Sequence, residues 1–335
     1  MKFAVGYRLA EDEPGFFADI VRDYREHVAE VYFAWPGEPS GRAPLPEEAA
    51  GQVAEELARI KRLGVRLNLL LNANCYGDRA LAQAFVEDIT ALVGRLCDTV
   101  GLDAVTTASP LVARVMRRGF PSLDVRASVN MRLGTVKALA YVASDFTSYC
   151  VQREFNRDPE RLAELQDWAD ENGKHLHVLA NSGCLNFCAA QTFHDNIVAH
   201  ETEVNRHDNV RNLTTLCREL YRRCEFRVNF LEGSWIRPED IAAHSRLFHG
   251  GYKLATRMHD RPRLVIDAYA RGRCVGNLLD LMEPGFGPLF DPWIVDNTRF
   301  PADWFETTLR CDKRCGRCDF CARTLNAVLA QVPGE

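Results

Sequence analysis

Four cysteines lie close together near the C-terminal end of the sequence, in the pattern C-x3-C-x2-C-x2-C. They are Cys311, Cys315, Cys318 and Cys321, and the cations Lys313, Arg314 and Arg317 stand between them. Thiolates are the ligands of iron–sulfur clusters and of structural zinc, and nearby cations stabilise the negative charge that such ligands accumulate. Ferredoxin-type runs use similar gaps of two and three residues. The spacing therefore predicts a metal ion or an iron–sulfur cluster in this run.

A second group of cysteines follows a predicted strand, His175–Leu179. Cys184 and Cys188 lie in the segment directly after that strand, and Cys217 and Cys224 follow on a predicted helix. If the strand belongs to an α/β barrel, this segment lies at the end where barrel active sites are built. We therefore predict that Cys184 and Cys188 are ligands, with Cys217 and Cys224 as further candidates. The isolated cysteines are more typical of core positions, and these are Cys75, Cys97, Cys150 and Cys274.

Eight candidate ligands can be divided between metals in more than one way. Two groups of four thiols are compatible with one or two [4Fe–4S] clusters, and zinc is the alternative because it is also bound by cysteine thiolates. A mixed ligand set, with thiols from both groups, is a further possibility. The spacing alone does not divide the eight cysteines between one site and two.

Polar residues that follow the predicted strands are the candidates for binding and catalysis. We expect the amides and cations among them to bind substrate, and the cations to bind a carboxylate or phosphate group of that substrate. These residues are Asn72, Asn130, Asn181, Lys253 and Arg257. His194 is a candidate proton donor or acceptor near neutral pH, and Arg153 and Glu154 complete the candidate catalytic set. Structural roles are the alternative, since Asn130 and Asn181 could cap helices and Arg153 could pair with Glu154. The sequence contains no G-x-S-x-G, H-E-x-x-H or P-loop motif.

The elements that position these residues read as a repeat of strands and helices. Short apolar runs of the kind found in buried parallel strands alternate with amphipathic segments such as Pro46–Arg62. Nine strands are predicted, one more than an eight-stranded barrel needs, and Phe226–Phe230 is the candidate for the surplus strand. We predict an α/β protein with a TIM-like (β/α)8 barrel and a C-terminal cysteine-rich extension. A doubly wound sheet is the alternative, but no G-x-G-x-x-G follows the first strand.

The composition of the sequence changes after residue 260, where Gly and Pro become frequent and segments typical of strands become rare. We therefore predict a barrel domain over residues 1–260 and an extension with the four-cysteine run over residues 261–335.

The chain has 335 residues, 12 cysteines and a net charge of −5, which is an ordinary globular composition. We find no secretory signal and no apolar stretch of membrane-spanning length, and therefore expect a cytoplasmic protein with reduced thiols.

Several segments together resemble peptidase family U32. The most specific are Gln152-Arg153-Glu154-Phe155-Asn156-Arg157 and Ala180-Asn181-Ser182-Gly183-Cys184, and Trp235-Ile236-Arg237-Pro238-Glu239-Asp240-Ile241 extends the match. The four-cysteine run is similar to that of a subgroup of U32-like proteins, and the resemblance covers roughly residues 1–325. It implies a TIM-like barrel with cysteine ligands at its mouth and a [4Fe–4S] cluster. It further implies oxygen-independent hydroxylation of RNA bases or of a quinone precursor, in some relatives with prephenate as oxygen donor, whereas older relatives carry the label collagenase-like protease.

We therefore predict an iron–sulfur-dependent, U32-like enzyme with redox or oxygen-independent hydroxylation-type chemistry. Its substrate, small or polymeric, is unidentified and binds at the barrel mouth. The first alternative is a U32-type peptidase, although peptide hydrolysis needs an activated nucleophile or a metal-bound water, and the sequence indicates neither. The second alternative is a non-catalytic protein that needs a cluster or zinc to fold, to bind a partner protein or to form a homo-oligomer.

Overall fold

The computed structural model describes residues 1–10, 12–38, 40–41, 44–204 and 215–331. Eight parallel strands close into a barrel, each pairing with the next along the chain and the last with the first. The strands are β1 Phe3–Gly6, β2 Val28–Phe33, β3 Arg66–Leu71, β4 Ala104–Thr107, β5 Asp124–Ala127, β6 Ser148–Cys150, β7 His175–Leu179 and β8 Gly251–Leu254. Closure pairs Phe3 with Tyr252 and Val5 with Leu254. The predicted (β/α)8 barrel is confirmed.

Helices surround the barrel and build the C-terminal part. Within residues 1–260 they are α1 Phe16–Asp23, α2 Ala50–Arg62, α3 Gln83–Val100, α4 Pro110–Gly119, α5 Val136–Tyr141, α6 Pro159–Glu171, α7 Gln191–Ala199, α8 Glu201–Val204, α9 Leu216–Tyr221, α10 Val228–Glu232 and α11 Ile241–His244. The extension adds α12 Pro262–Arg271, α13 Gly287–Phe290, α14 Trp304–Leu309 and α15 Phe320–Val328, with an antiparallel pair of short strands, β9 Trp293–Val295 and β10 Leu329–Gln331.

Local signals in the sequence account for the limits of the longer helices. The Asp158 carboxylate accepts a hydrogen bond from the Arg161 N–H at 3.0 Å, and Pro159 occupies the first helical position of α6. Gly173 follows that helix with a φ of 62°, a conformation that glycine adopts without steric cost. Val53, Leu57 and Ile60 form the buried stripe of α2, as their helical spacing predicts.

The predicted strand Phe226–Phe230 is wrong. Residues Cys224–Phe226 form a 3-10 turn and Val228–Glu232 is helical. The buried residues of this stretch are Arg227, Phe230 and Leu231, spaced by three and four, which is the helical period. This stretch therefore belongs to a turn and a helix, and the barrel has its eight strands without it.

Two main hydrophobic cores hold the molecule together, beside a small cluster of Ala4, Tyr32 and Leu70. The larger lies between the barrel strands and the helices around them. The smaller contains Tyr221, Phe230 and Trp235 from the barrel's own loops, together with Phe290 and Trp304 from the extension. Within it, the rings of Trp235 and Trp304 stack with centroids 5.7 Å apart. The division into domains at residue 260 stays a prediction, and the smaller core draws residues from both sides of it.

The inside of the barrel is polar, although its strands read as apolar. Since alternate strand residues face opposite sides, one set packs under the helices and the other fills the barrel. The filling set contains Arg126, whose Nη1 and Nη2 donate to the two carboxylate oxygens of Glu30 at 2.6 and 2.9 Å. Arg126 Nη2 also donates to Asp124 at 2.7 Å, and Asn68 donates to Glu30 at 2.8 Å. These side chains form a buried ionic layer below the barrel mouth.

Protonation states in this layer follow from burial and from the opposite charges. Burial alone would raise the pKa of Glu30, but the charge and hydrogen bonds of Arg126 lower it to about 2. The same guanidinium, with hydroxyl donors from Ser148 and Thr147, lowers the pKa of Asp124 against the effect of burial. Burial lowers the pKa of His177 to about 3, helped by the charge of Arg126, so the imidazole is neutral. No helix within the described residues is long and apolar enough to cross a membrane.

Candidate functional site

A small pocket of about 80 Å³ opens where the barrel strands end, and we call it the mouth pocket. Five of its lining residues were predicted from the sequence, namely Asn72, Asn130, Arg153, Lys253 and Arg257. Tyr32, Ser182 and Glu283 also line it. The pocket thus combines three cationic side chains with one carboxylate and two amides.

Lys253 projects from β8 towards the mouth pocket. Its Nζ lies 3.8 Å from the centroid of the Tyr32 ring, which is a cation–π contact. Burial lowers the pKa of Lys253, and the cations Arg126 and Arg257 act in the same direction. The Tyr32 hydroxyl donates to the Leu254 carbonyl at 2.8 Å, so the ring is fixed. A desolvated ammonium held over a fixed ring favours an anionic partner.

The two arginines reach the mouth pocket from different loops. Arg153 lies in the 3-10 turn Arg153–Phe155, and its Nε is buried without a hydrogen-bond partner among the described residues. The Nη1 of Arg257 donates to the Ser40 hydroxyl at 2.9 Å. A buried donor with no partner is costly, and an anion in the pocket would satisfy that of Arg153.

Glu283 brings the extension back to the barrel mouth. Its carboxylate accepts from the Met258 N–H at 3.2 Å, and its backbone carbonyl accepts from the Gly183 N–H at 3.1 Å. Asn181 fixes the same junction, because its amide donates to the carbonyls of Ala255 and Leu281 at 2.9 and 2.8 Å. The Asn181 oxygen also accepts from the Ala255 N–H, so this amide is occupied by backbone. Its predicted substrate contact stays a prediction.

The other two predicted amides face the mouth pocket itself. The Asn72 side-chain oxygen accepts from the Gly41 N–H at 3.0 Å. The side-chain amide of Asn130 donates to the Asn72 carbonyl at 3.4 Å, while Ser128, not Asn130, caps the turn Val129–Met131. The mouth pocket therefore has two amides that position one another.

Three cysteines gather beside a larger cavity of about 650 Å³ on the same side of the barrel. We call Cys184, Cys188 and Cys217 the barrel-loop thiols; Cys184 and Cys217 line the cavity with His194. Burial raises the pKa of Cys217, and the nearby Cys184 and Cys188 thiols raise it further. Cys188 packs at the edge of the smaller core. Cys184 and Cys188 lie in an irregular loop and still come together with Cys217 from α9.

Tyr221 lies against the barrel-loop thiols. Its hydroxyl is fully buried and has no hydrogen-bond partner among the described residues. Burial raises the pKa of Tyr221 well above its ordinary value, and Cys217 and Cys184 contribute in the same direction. The orphaned hydroxyl would donate to an anionic, sulfur-rich group bound by these thiols.

A third cavity, of about 170 Å³, lies between the barrel and the C-terminal cysteine run, and we call it the tail cavity. Cys311, Cys315 and Cys321 line it, together with Arg157 and Lys313. Burial raises the pKa of Cys321 to about 12, and burial also raises that of Cys315. These thiols are therefore protonated at neutral pH and would lose their protons on binding a metal.

All twelve cysteines lie in the described part of the chain, and none of them forms a disulfide bond. Cys224 is exposed in the turn Cys224–Phe226, and Cys318 is exposed in the tail. Within the described residues, no set of three or more His, Cys, Asp or Glu side chains is arranged to hold a metal ion as it stands. The donor chemistry nevertheless fits a thiolate-bound group, because thiols line two cavities and an orphaned buried donor, Arg157 Nη1, lines the tail cavity. Ligation would require the thiols to rotate towards one another.

The three predicted catalytic residues do not converge. Arg153 faces the mouth pocket and His194 faces the barrel-loop cavity. Glu154 is buried between them, with its backbone carbonyl accepting from Ser234 at 2.9 Å and from Lys313 at 2.6 Å. A catalytic role for His194 or Glu154 stays a prediction, and only Arg153 of the three lines the mouth pocket.

Sequence reasoning missed Glu283, Tyr221 and Arg157. Glu283 stands in the Gly- and Pro-rich segment of the predicted extension, and nothing in its neighbours indicates that it returns to the mouth. Tyr221 lies four residues after Cys217, one helical turn, so that spacing was a usable signal. Arg157 stands in the R-E-F-N-R segment, but its contact with the Trp304 ring depends on the extension.

Comparisons with known proteins agree with this architecture. No family model matches the chain. The sequence is 25% identical over 311 residues to an uncharacterized protease of Methanocaldococcus jannaschii, and the match covers 90% of this chain and 89% of that protein. The fold is similar to that of a solved U32 peptidase with a TM-score of 0.55 and 14% identity, covering 76% of this chain and 92% of the other. The predicted resemblance to peptidase family U32 is confirmed.

Proposed function

On the premise of this U32-like fold, we propose that the chain is an enzyme that binds an anionic substrate in the mouth pocket. We further propose that the barrel-loop thiols hold an iron–sulfur cluster and that the chemistry is redox, of the oxygen-independent hydroxylation type. One observation carries the proposal: Glu283 lines both the mouth pocket and the barrel-loop cavity. The substrate-binding cations and the thiols are therefore neighbours at one end of the barrel, the end where barrel enzymes do their chemistry.

The mouth pocket would bind its ligand by charge and by orientation. Lys253, Arg153 and Arg257 supply three positive charges against the single carboxylate of Glu283. Arginines recognise carboxylates and phosphates through paired N–H donors, and Asn72 and Asn130 can orient the rest of the ligand by hydrogen bonds. Glu283, at the border of the two cavities, is placed to accept a proton from a bound substrate.

The barrel-loop thiols fit the ligand set of a cluster by their chemistry, with Cys184, Cys188 and Cys217 as the residues that would hold it. When bound, such a cluster supplies one-electron transfer or an open iron position beside the substrate. The chain's own contribution is the orphaned Tyr221 hydroxyl, which would donate a hydrogen bond to the bound group.

Peptide hydrolysis is the second candidate, because the relative from Methanocaldococcus jannaschii and the solved U32 peptidase carry protease names. It needs an activated nucleophile or a metal-bound water. The mouth pocket, with a volume of about 80 Å³, has room for a small ligand group rather than for an extended peptide. We therefore rank hydrolysis below the redox proposal.

Anaerobic purification with iron, acid-labile sulfide and zinc analysis tests the cluster. We expect iron and sulfide in wild type, and less of both in a Cys184→Ser/Cys188→Ser variant, with Cys97→Ser as the control that keeps them. Zinc without sulfide would refute the cluster, and gelatin hydrolysis that survives removal of iron would favour the peptidase.

Anion binding is tested separately by thermal shift with phosphate and with small mono- and dicarboxylates. We expect an anion that stabilises wild type to lose its effect in Lys253→Met and Arg257→Met. Arg263→Met, which removes an exposed arginine paired with Asp23, should bind like wild type. Equal stabilisation of all four proteins would refute the role of the mouth pocket.

A further inference from the structure

The tail cavity contains a buried positive charge with too few partners. Arg157 is only 6% exposed, and its Nη2 donates to the Leu231 carbonyl at 3.1 Å. Its Nη1 is buried and has no partner in the described part of the chain. The guanidinium carbon lies 5.2 and 5.3 Å from the ring centroids of Trp235 and Trp304, which hold it in place. A buried cation with an orphaned donor calls for an anion in the cavity that it borders.

A second cation reaches the same cavity. The Nζ of Lys313 donates to the Glu154 carbonyl at 2.6 Å and lies 5.3 and 5.7 Å from the ring centroids of Phe155 and Phe187. One carboxylate, that of Glu232, also lines the cavity. Two cations against one carboxylate give the side chains that line the tail cavity a net positive charge.

Backbone conformation marks the tail cavity as well. Lys313 and Phe187 both line it, with φ values of 57° and 49°, in the left-handed region that side chains other than glycine rarely adopt. Each such residue costs on the order of 1–3 kcal/mol and persists where the surroundings impose it. In the described chain, only Arg132 shares this conformation among residues other than glycine. Such strain clusters at ligand sites, which supports a binding role for this cavity.

We infer that the tail cavity is a second metal site, at which the thiolates of Cys311, Cys315 and Cys321 bind a metal centre of net negative charge. Arg157 and Lys313 are the counter-cations of that centre. Each ligating thiol releases one proton and no oxidation occurs on binding. Both zinc and an iron–sulfur cluster satisfy this chemistry, since both are bound by thiolates.

The tail site is separate from the barrel-loop thiols. The tail cavity and the barrel-loop cavity share no lining residue. The inference therefore does not depend on the proposed function, and the two can fail independently.

Metal content per chain tests the separation. The full chain is purified anaerobically as wild type, as Cys315→Ser/Cys321→Ser, as Cys184→Ser/Cys188→Ser and as the four-fold variant, with Cys97→Ser as control. We expect the tail variant, Cys315→Ser/Cys321→Ser, to lose the metal of the tail site and to keep that of the barrel-loop thiols. The four-fold variant should lose the metal of both sites. Iron with sulfide identifies a cluster and zinc without sulfide identifies zinc, and either supports the site.

Two results overturn the inference. One is a tail variant with the full metal content of wild type, and the other is the loss of all metal in both the tail variant and Cys184→Ser/Cys188→Ser, which would mean one shared site. If the tail variant loses metal while Cys184→Ser/Cys188→Ser loses none, the tail site stands and the proposed barrel-loop cluster falls.

The role of Arg157 is tested by the rate at which a chelator removes the metal. We expect Arg157→Gln to release metal about tenfold faster than wild type, and Arg157→Lys, which keeps the charge, to release it at nearly the wild-type rate. Arg227→Gln is the matched control, because Arg227 is also buried in the smaller core, over the Phe290 ring, but does not line the tail cavity. A folded Arg157→Gln with wild-type release, or Arg157→Lys as fast as Arg157→Gln, would contradict the counter-cation role.

Discussion

Replacing Arg126 by methionine should destabilise the barrel by about 3–5 kcal/mol at pH 7. Arg126 is 2% exposed and neutralises two carboxylates, those of Glu30 and Asp124. Methionine keeps most of the side-chain length but leaves both acids buried without their cation. Removing one partner of a buried ion pair costs this much because the remaining charge is uncompensated.

The pH dependence of the loss follows from the pKa of Glu30. The folded state lowers that pKa from its ordinary value of 4.5 to about 2, so Glu30 adds stability above pH 4.5 that is lost as the pH falls towards 2. At about 1.4 kcal/mol per pKa unit, this contribution is about 3 kcal/mol. In Arg126→Met, burial favours the protonated acid instead. The difference between the two proteins should therefore shrink as the pH falls below 4.5.

Urea denaturation followed by tryptophan fluorescence measures the effect at pH 7, 5 and 3. Arg114→Met is the control, because Arg114 pairs with Asp145 at 3.1 Å while 53% exposed, and such pairs contribute less than about 1 kcal/mol. A double variant, Arg126→Met/Glu30→Gln, should lose less than the sum of the single changes, since one orphaned charge is gone. The reasoning is refuted if Arg126→Met lies within 1 kcal/mol of wild type at pH 7, or if its deficit does not change with pH.

Two further predictions concern the junction with the extension and the thiols. Asn181→Ala should lower the free energy of unfolding by at least about 2 kcal/mol, because backbone groups of Ala255 and Leu281 lose their hydrogen-bond partner. It should also expose residues 261–331 to protease. A urea midpoint equal to that of wild type would contradict this. In chelator-treated protein, iodoacetamide should modify the exposed Cys224 well before the buried Cys150, whose pKa is raised by burial. Peptide mass spectrometry gives the order, and equal rates would show that the barrel opens readily.

The barrel could be predicted from sequence because strand runs such as Val28–Phe33 and Arg66–Leu71 are short, β-branched or leucine-rich and bounded by helical patterns. Their observed bounds match the predicted ones. The polar filling was not expected, although Glu30 and Asn68 stand in alternate positions of those same runs. A lone polar residue within a strand indicates neither which side it faces nor which distant residue it meets.

The residues of the candidate site likewise fall into those that could be predicted from the sequence and those that could not. Residues such as Lys253 and Asn72 were predictable because they stand at or just past a strand, and the barrel brings all strand ends to one mouth. Glu283 and Arg157 were not, because their placement depends on how the extension folds back over the barrel. That path is decided by the smaller core, in which Trp304 of the extension packs against Trp235, a residue far away in the sequence.

The composition of the smaller core also has a consequence for synthesis on the ribosome. Phe230 and Trp235 emerge with the barrel, whereas Phe290, Trp304 and Leu325, which cover them, are translated later. At about 5–20 residues per second, the chain between Trp235 and Leu325 takes on the order of several seconds to make. During that interval the nascent barrel displays an uncovered aromatic surface beside the unfinished tail cavity. Chaperone binding to stalled nascent chains should therefore be strongest at lengths between these two residues and decline once Leu325 has left the exit tunnel.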